Sequence, residues 1–201
     1  MARPKRQEDR RRDLVRAAGR AIAERGYQGV RIKDVGDAAG LSPQAVLYYY
    51  PDVDELLVEA IHHAVRRFVE LRRERADALD NPVAQLMATI QAGFPDDPED
   101  DISIVYLCVE AMRRNAALRA MTMALTAQQV DLYVRILEVG AARGVFHLAG
   151  ESRTIAENLV ALEDAYGLYI VEGFDLSAQD AIARVTAFAA IATGIDSSSL
   201  R

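Results

Sequence analysis

The chain has a single cysteine among its 201 residues, and this excludes an internal disulfide. A lone thiol, Cys108, is typical of proteins kept in a reducing compartment, so we expect a cytoplasmic location. No apolar run approaches the ~18 residues that a membrane-spanning helix needs. The basic N-terminus is not followed by the apolar segment of a signal peptide, so the sequence predicts neither secretion nor membrane insertion.

Catalytic and metal-binding motifs are missing as well. The sequence contains no Gly-rich phosphate loop, and Cys108 has no nearby residue that would activate it as a nucleophile. His62 and His63 are adjacent and point to different sides of a helix, whereas a metal-binding pair needs positions i and i+4. We therefore predict that the protein is not an enzyme and that it needs neither a metal nor a cofactor.

Helix punctuation recurs along the chain, while alternating strand patterns do not occur. Asp52, Asn81 and Ser177 are candidate helix caps, and Pro82 suits the first position of a helix. We predict an all-α fold of about nine helices in two blocks, divided within a long fourth helix. The predicted helices cover about 8–25, two short segments within 32–50, 52–79, 82–93, 102–115, 117–143, 153–173 and 177–194, with a charged loop at 95–101.

The segment Ile32–Leu57 contains the most informative motif, a tight turn between two short helices. Gly40 can adopt the positive φ that closes the first helix, and Ser42 can cap the second. Small and apolar residues on both sides suit a close helix crossing: Val35, Ala38 and Ala39 before the turn, and Leu41, Val46 and Leu47 after it. This pattern is typical of a helix-turn-helix, whose second helix enters the DNA major groove.

Charge is distributed unevenly between the two ends of the chain. Residues 1–50 hold 11 Lys and Arg against 6 Asp and Glu, whereas residues 51–201 hold 13 against 24. A basic N-terminal part on an acidic remainder indicates a polyanionic partner for that part alone. Since phosphate neutralisation supplies most non-specific DNA affinity, the charge pattern favours double-stranded DNA as the partner.

Residues 10–57 resemble the DNA-binding domain of the TetR family of bacterial transcription regulators. The resemblance lies in Gly26-Tyr27, in the run Ala38-Ala39-Gly40-Leu41-Ser42, in Tyr48-Tyr49-Tyr50, and in Pro51 through Leu57. It implies a DNA-binding domain over residues 1–51, with a flexible basic arm at 1–7. It also implies a ligand-binding and dimerisation domain over residues 52–201.

Several residues are predicted to contact DNA. In the second helix of the motif, Gln44 can pair with adenine, Ala45 can touch a thymine methyl, and Tyr48 can pack on base edges. Tyr49 and Ser42 suit phosphate oxygens, while Val46 and Tyr50 are expected to face inward with Leu41 and Leu47. The full predicted set is Arg3, Lys5, Arg6, Arg31, Lys33, Ser42, Pro43, Gln44, Ala45, Tyr48 and Tyr49. Of these, Arg3, Lys5 and Arg6 form the arm, which can follow the backbone or enter the minor groove.

Three positions depart from the pattern that the resemblance implies. Leu47 stands where the family most often has a phosphate-binding tyrosine, and Val53 stands where a lysine is common. Gly36 replaces the usual alanine at the helix crossing. Lys33 matches a basic residue that reaches DNA from the supporting helix, whereas Arg31 replaces a capping Thr or Ser. Two phosphate contacts are therefore expected to be missing, and the arm and Arg31 are candidates to replace them.

The last two predicted helices carry wide apolar stripes, which suit pairing with a second copy as a four-helix interface. The stripe residues are Ile155, Leu159, Leu162, Tyr166 and Ile170 in one helix, and Ile182, Val185 and Phe188 in the other. The alternative is that these stripes face the core of their own chain. A homodimer is what the reading of two half-sites requires.

A ligand pocket is predicted in the middle helices, where soft apolar groups are mixed with hydroxyls. Its candidate residues are Phe68, Phe94, Tyr106, Cys108, Met112, Met121, Met123 and Tyr133. Ordinary core packing explains any one of them equally well. Glu110, Glu163 and Asp164 become informative if they are buried, because an unpaired interior carboxylate favours a cationic ligand.

These observations predict a dimeric, sequence-specific transcription regulator, most simply a repressor released from a palindromic operator by a small-molecule inducer. An inducer has to bind the DNA-incompetent state better, and we expect it to act by moving the long fourth helix. Two alternatives keep the same fold. One is a DNA-binding factor without an inducer, and the other is a small-molecule or protein-binding module whose N-terminal domain no longer binds DNA.

Overall fold

The computed structural model describes residues 2–95, 101–112 and 115–196, and within these ranges the chain folds into ten α-helices and one short 3₁₀ turn. Side chains are described within these ranges except those of residues 2–6 and 110. The helices are α1 (Ala2–Arg25), α2 (Ile32–Ala39), α3 (Pro43–Tyr49), α4 (Val53–Asp77), α5 (Pro82–Gln91), α6 (Asp101–Tyr106), α7 (Val109–Met112), α8 (Ala116–Ala142), α9 (Ser152–Val171) and α10 (Ala178–Thr193). The described ranges contain no strand, and the predicted all-α class is confirmed.

The helix starts follow the predicted caps. Asp52 Oδ1 accepts the Asp54 N–H at 2.9 Å, and Asn81 Oδ1 accepts the Val83 N–H at 2.8 Å. Ser177 Oγ accepts the Asp180 N–H at 3.1 Å. Each side-chain oxygen satisfies a backbone donor that has no partner inside the helix. None of the described helices is both long and apolar enough to cross a membrane.

Two helix boundaries differ from the predictions. The first helix begins at Ala2 rather than Glu8, so the predicted flexible arm is helical from its second residue. Alanine, arginine, lysine and glutamine are strong helix formers, and Pro4 lies in the first turn, where its missing N–H breaks no hydrogen bond. The single helix predicted over 102–115 is two short helices, α6 and α7. The charged loop predicted at 95–101 lies mostly outside the described residues.

The chain divides into two compact units. The head unit comprises Met1–Arg67 and Asp97–Met121, and the body unit comprises Phe68–Asp96 and Thr122–Arg201. The first boundary between the two units therefore falls inside α4, and residues 97–121 belong to the head unit. Within the head unit, α1 packs on α2 and α6, and α2 packs on α3. Within the body unit, one apolar core joins residues of α5, α8, α9 and α10.

Candidate nucleic-acid interface

The turn between α2 and α3 has the predicted geometry. Gly40 has φ +66°, in the left-handed region that glycine adopts without strain, and its N–H donates to the Asp37 carbonyl oxygen at 3.3 Å. The Leu41 N–H donates to the Gly36 carbonyl oxygen at 2.9 Å. Ser42 Oγ then accepts the Ala45 N–H at 3.2 Å, and α3 starts at Pro43. Together these contacts fix the direction in which α3 leaves the turn.

Gly36 allows α2 to lie close to the backbone of the turn that leads into α3. A Cβ atom at this position would lie 2.7 Å from the Leu41 carbonyl oxygen, a distance that real Cβ atoms do not tolerate. The clashing atom belongs to the backbone of the turn, so no rotamer change can relieve it. This geometry explains why glycine stands where the family resemblance implies alanine.

The faces of α3 separate cleanly. Val46 and Tyr50 are fully buried, as the sequence predicted, whereas Tyr48 is 72% exposed and Gln44 is exposed. Pro43, Ala45 and Tyr49 are half-buried, and Ser42 is exposed at the start of the helix. The prediction that Leu47 faces inward is wrong, because its side chain is 42% exposed. Successive helical residues are ~100° apart, so burying Val46 turns Leu47 to the face of Gln44 and Tyr48.

The far end of α3 is tied to α4 through a polar contact. The Tyr50 hydroxyl donates to Glu59 Oε2 at 2.9 Å, and the Arg11 guanidinium lies 4.3 Å from the centre of the Tyr50 ring. Arg11 also donates to the Tyr49 carbonyl oxygen at 3.4 Å and pairs with Glu59 at 3.5 Å. Burial and the Glu59 carboxylate raise the pKa of Tyr50 to about 12, so its hydroxyl remains a donor.

Sequence reasoning did not identify Arg11 or Glu59. Arg11 lies 38 positions before Tyr49 in the sequence, and Glu59 lies nine positions after Tyr50. The folded chain brings both side chains to the end of α3. The sequence offered only a weak signal, a basic and an acidic residue near the predicted head. Their contribution is to hold the exposed face of α3 in one orientation.

The supporting helix α2 also presents basic groups. Arg31 and Lys33 are exposed, and the Arg31 backbone N–H donates to Asp34 Oδ2 at 2.8 Å. Arg20 donates to the Ala38 carbonyl oxygen at 2.7 Å and so fixes the end of α2 on α1. The side chains of Arg3, Lys5 and Arg6 lie outside the described residues, so their predicted DNA contacts stay predictions.

The predicted pocket residues fall in both units. In the head unit, Tyr106 and Cys108 are buried, and Met112 and Met121 are half-buried. Burial raises the pKa of the Cys108 thiol to about 12. In the body unit, Phe68, Phe94 and Tyr133 are buried, whereas Met123 is 69% exposed. Met123 therefore presents its thioether to solvent instead of to the interior of its unit.

The apolar residues predicted to form the dimer interface divide into two groups by burial. Ile155, Leu159 and Val185 are buried in the body unit's own core, which is the alternative that the sequence left open. Leu162, Tyr166, Ile170, Ile182 and Phe188 are partly buried beside that core. Three further apolar side chains on or next to α9 and α10 are exposed: Tyr169, Phe174 and Ile191. The Tyr169 and Phe174 rings stack with their centres 5.0 Å apart.

A buried polar cluster lies inside the body unit, centred on an ion pair. Arg72 of α4 and Glu163 of α9 are each 1% exposed, and one guanidinium nitrogen contacts both carboxylate oxygens, at 2.6 and 2.7 Å. Arg72 Nε donates to the Thr89 carbonyl oxygen at 3.0 Å, and its other terminal nitrogen donates to Gln129 Oε1. The Tyr133 hydroxyl contacts Arg72 at 3.0 Å and donates to Glu163. We call Arg72, Thr89, Gln129, Tyr133 and Glu163 the Arg72 cluster.

Electrostatics in this cluster favour a neutral phenol and a paired carboxylate. Burial and the nearby Glu163 carboxylate raise the pKa of Tyr133 well above its ordinary value. Burial also raises the pKa of Glu163, while the Arg72 guanidinium acts in the opposite direction by stabilising the carboxylate. Glu163, one of the three carboxylates considered from sequence, is thus buried but paired. Asp164 is half-buried, and the side chain of Glu110 lies outside the described residues.

Comparison with known proteins matches the head of the chain to one family. Residues 14–60 match the family model described as bacterial regulatory proteins, tetR family. The chain is 38% identical over 88 residues to the HTH-type transcriptional regulator BetI of Stenotrophomonas maltophilia, covering 43% of this chain and 45% of that protein. It is 37% identical over 90 residues to BetI of Burkholderia thailandensis, covering 44% and 46%. The match thus spans less than half the length of these relatives.

Solved structures show the same fold over nearly the whole chain. A regulator from Saccharomonospora viridis, solved in complex with choline, aligns with a TM-score of 0.81 and 22% identity over 90% of this chain and 95% of its own. A TetR transcription regulator from Haloarcula marismortui aligns with a TM-score of 0.78 and 19% identity, over 92% and 99%. At these identities the likeness establishes the fold alone.

Proposed function

We propose that this chain, whose residues 14–60 match the family model of bacterial regulatory proteins, tetR family, is a cytoplasmic repressor released from a palindromic DNA operator by a small molecule. The observation that carries this proposal is that α3 has one buried face and one exposed face. Val46 and Tyr50 anchor it from one side, and Gln44, Leu47 and Tyr48 face solvent from the other. A helix held in this way can enter the major groove with its exposed face toward base edges.

The exposed face of α3 carries no charged side chain, so its recognition of bases rests on neutral groups. Gln44 can form two hydrogen bonds with adenine, and Leu47 offers an apolar contact to the 5-methyl group of thymine, as does Ala45. Tyr48 can pack against base edges. This composition favours A·T base pairs at the centre of each half-site.

Phosphate binding is assigned to the flanks of the motif. Arg31 is exposed just before α2, Lys33 is exposed on α2, and Ser42 is exposed at the turn. Tyr49 and the N-terminal end of α3 with Pro43 complete this set, and Arg3, Lys5 and Arg6 extend it from the start of α1. Contacts of this kind position the protein without reading sequence, and they make the affinity fall as salt rises.

A homodimer supplies the two recognition helices. Isologous pairing uses the same patch on both copies, and the exposed Tyr169, Phe174 and Ile191 beside the half-buried Tyr166 and Phe188 give α9 and α10 an apolar outer face. Half-sites of such a dimer are expected about 34–36 Å apart, or one turn of B-DNA.

A small-molecule effector is the proposed control. The choline complex of the Saccharomonospora viridis regulator supports the view that this fold accepts a small organic molecule. In this chain α4 contributes Glu59 to the head unit and Arg72 to the body unit. An effector that binds one state of α4 better than the other can therefore change the affinity for DNA.

The test is fluorescence anisotropy with DNA from upstream of the protein's own gene and a scrambled control, titrated over salt. We expect selective, salt-sensitive binding, and we expect Gln44→Ala and Tyr48→Ala each to reduce discrimination by roughly 1–3 kcal/mol. Gln28→Ala is a matched control, because Gln28 is an exposed glutamine in the 3₁₀ turn and is not part of α3. Absence of binding to either DNA at low salt would contradict the proposal.

A further inference from the structure

We propose that the cleft between α1, α4 and α6 in the head unit is a binding site for a small organic anion. The ligand class that we infer joins one carboxylate or phosphate group to a short apolar part. The described residues that line the cleft all belong to the head unit. This inference goes beyond the proposed function and does not depend on it, because the site is defined by its own residues and is tested without DNA.

The cleft is open to solvent and has a volume of about 250 Å³. Small and apolar residues form the buried part of its lining: Val15 and Gly19 of α1, Ala60 and Ala64 of α4, and Ile104 of α6. A mainly apolar lining with a few polar groups around it is the usual composition of a small-molecule site. Because drug-sized molecules occupy pockets of ~300–1,000 Å³, this cleft suits a smaller ligand.

The polar part of the lining carries an excess of positive charge. Arg16 and Arg20 of α1 and Arg67 of α4 line the cleft, whereas its described lining residues include a single carboxylate, that of Asp101 in α6. Three positive charges against one negative charge leave a formal excess of +2 when His63 is neutral. Like charges that face one cleft repel each other, and concave walls of low polarity strengthen their field. A bound oxyanion reduces this repulsion.

The three guanidinium groups retain N–H donors for a ligand. Arg67 Nε donates to Asp101 at 3.1 Å, and one terminal nitrogen of Arg20 donates to the Ala38 carbonyl oxygen at 2.7 Å. Arg16 is exposed, and its carboxylate partner lies three residues earlier on its own helix. Each contact engages one nitrogen, whereas a guanidinium carries five N–H donors in a planar arrangement that matches carboxylate and phosphate oxygens.

His63 lines the same cleft and responds to its charge. Burial lowers the pKa of His63, Asp101 acts in the opposite direction, and the nearby Arg66, Arg67 and Arg16 lower it further. The arginines therefore favour the neutral imidazole. A bound anion would stabilise the imidazolium and raise this pKa, so the titration of His63 reports whether the cleft is occupied.

The apolar lining favours a small molecule over DNA as the source of the oxyanion. A phosphate of duplex DNA could contact the arginines, but it would leave Ala60, Ala64 and Ile104 uncovered. A small organic anion can use both parts of the cleft, because its charged group contacts the arginines while its apolar part covers the buried lining.

The experiment uses the full-length chain with sodium benzoate and phenyl phosphate as probes, and benzamide as an uncharged counterpart. Isothermal calorimetry measures binding, and NMR titration of the histidine rings, assigned with His63→Gln, measures the pKa of His63. We expect at least one anion to bind with a Kd of roughly 1–10 mM, as suits a ligand of about ten non-hydrogen atoms. That anion should raise the pKa of His63, and benzamide should bind roughly tenfold more weakly or not at all.

Two variants should change anion binding in opposite directions. Arg16→Gln removes a positive charge from the cleft and should weaken binding several-fold, whereas Asp101→Asn removes the competing carboxylate and should strengthen it. Both variants break a salt bridge, so loss of stability alone cannot produce opposite responses. Arg12→Gln is the matched control, because Arg12 is also an exposed arginine of α1 paired with an aspartate three residues earlier, but it does not line the cleft.

The proposal would be overturned if neither anion binds, if benzamide binds as tightly as benzoate, or if Arg16→Gln binds the anions as well as Arg12→Gln does. Binding that leaves the pKa of His63 unchanged would place the anion elsewhere and would also overturn it. If wild type binds neither anion and Arg16→Gln lowers DNA affinity with a flatter salt dependence, the arginine belongs to a DNA phosphate contact instead. The calorimetry contains no DNA, so failure of the anion site leaves the regulator proposal standing and the reverse also holds.

Discussion

The Tyr50 hydroxyl, at the end of α3, donates a 2.9 Å hydrogen bond to Glu59 in α4. Tyr50→Phe removes this bond and leaves the ring in place. We expect a loss of about 1 kcal/mol in the free energy of unfolding, since Glu59 is partly solvated, and weaker binding to all DNA sequences alike. Urea unfolding and anisotropy measure the two effects. Unchanged DNA affinity would show that this contact does not position the recognition helix.

Gly36→Ala should destabilise the head, although alanine is the usual residue at this crossing in the family that the sequence resembles. The added Cβ would meet the Leu41 carbonyl oxygen at 2.7 Å, and the backbone of the turn has to shift. We expect a loss of about 1–3 kcal/mol in unfolding free energy, together with reduced DNA binding. Gly150→Ala is the control, because its Cβ would have no neighbour within 4 Å. Equal behaviour of the two variants would refute this account.

Exposure of Leu47 predicts a dependence on thymine methyl groups. Replacing thymine by uracil in the half-site removes only the 5-methyl group, and we expect affinity to fall several-fold at the contacted position. Leu47→Ala should lower affinity for the thymine operator and abolish the difference between thymine and uracil. Anisotropy of wild type and Leu47→Ala with the thymine and the uracil DNA measures the four affinities that are compared. An unchanged thymine preference in Leu47→Ala would assign the methyl contact to Ala45 instead.

Removal of one partner of the buried ion pair should cost far more than removal of both. Glu163→Gln leaves the Arg72 guanidinium without its counter-charge, and we expect a loss of about 3–5 kcal/mol in unfolding free energy. Arg72→Met combined with Glu163→Gln should recover much of that loss. Chemical denaturation of the two single variants and the double variant measures the coupling. Additive losses would mean that the two side chains do not act as a pair.

Cys108 should be unreactive in the native protein. Burial raises the pKa of its thiol to about 12, so the protonated form predominates by orders of magnitude at pH 8 and the nucleophilic thiolate is scarce. The expected result is slow reaction with a disulfide reagent at pH 8 and fast reaction after denaturation. Since the folded pKa is raised, reactivity should grow only as the pH approaches 12 or the fold is lost. Stoichiometric labelling within seconds under native conditions would contradict the buried position.

Local patterns in the sequence predicted the helix-turn-helix correctly, because its determinants are local. Gly40, Ser42 and Val46 act within a few residues of the turn, and each behaves as its chemistry predicts. Leu47 was misassigned, since apolar character alone does not tell which face of a seven-residue helix a side chain occupies. The rotation of α3 is set by Val46, Tyr50 and their partners on other helices.

Contacts between distant residues were beyond the reach of sequence patterns. The sequence marks Glu163 and Tyr133 as candidate ligand-site residues, but it does not mark their partner Arg72, which lies 91 positions from Glu163. Likewise, an apolar stripe on α9 has the same pattern whether it faces its own core or a second copy. Ile155 and Leu159 face the core, and only the packed fold makes that choice visible.

The connection between α3 and α4 consists of Tyr50, Pro51 and Asp52. Three residues span at most ~10 Å, and both ends are tied down, one by the Tyr50 N–H on the Val46 carbonyl oxygen and the other by the Asp52 cap. A connection this short and fixed at both ends cannot lengthen or bend to absorb a movement of either helix. Any displacement at the start of α4 is therefore transmitted to the recognition helix instead of being absorbed, and two glycines inserted after Pro51 would uncouple them.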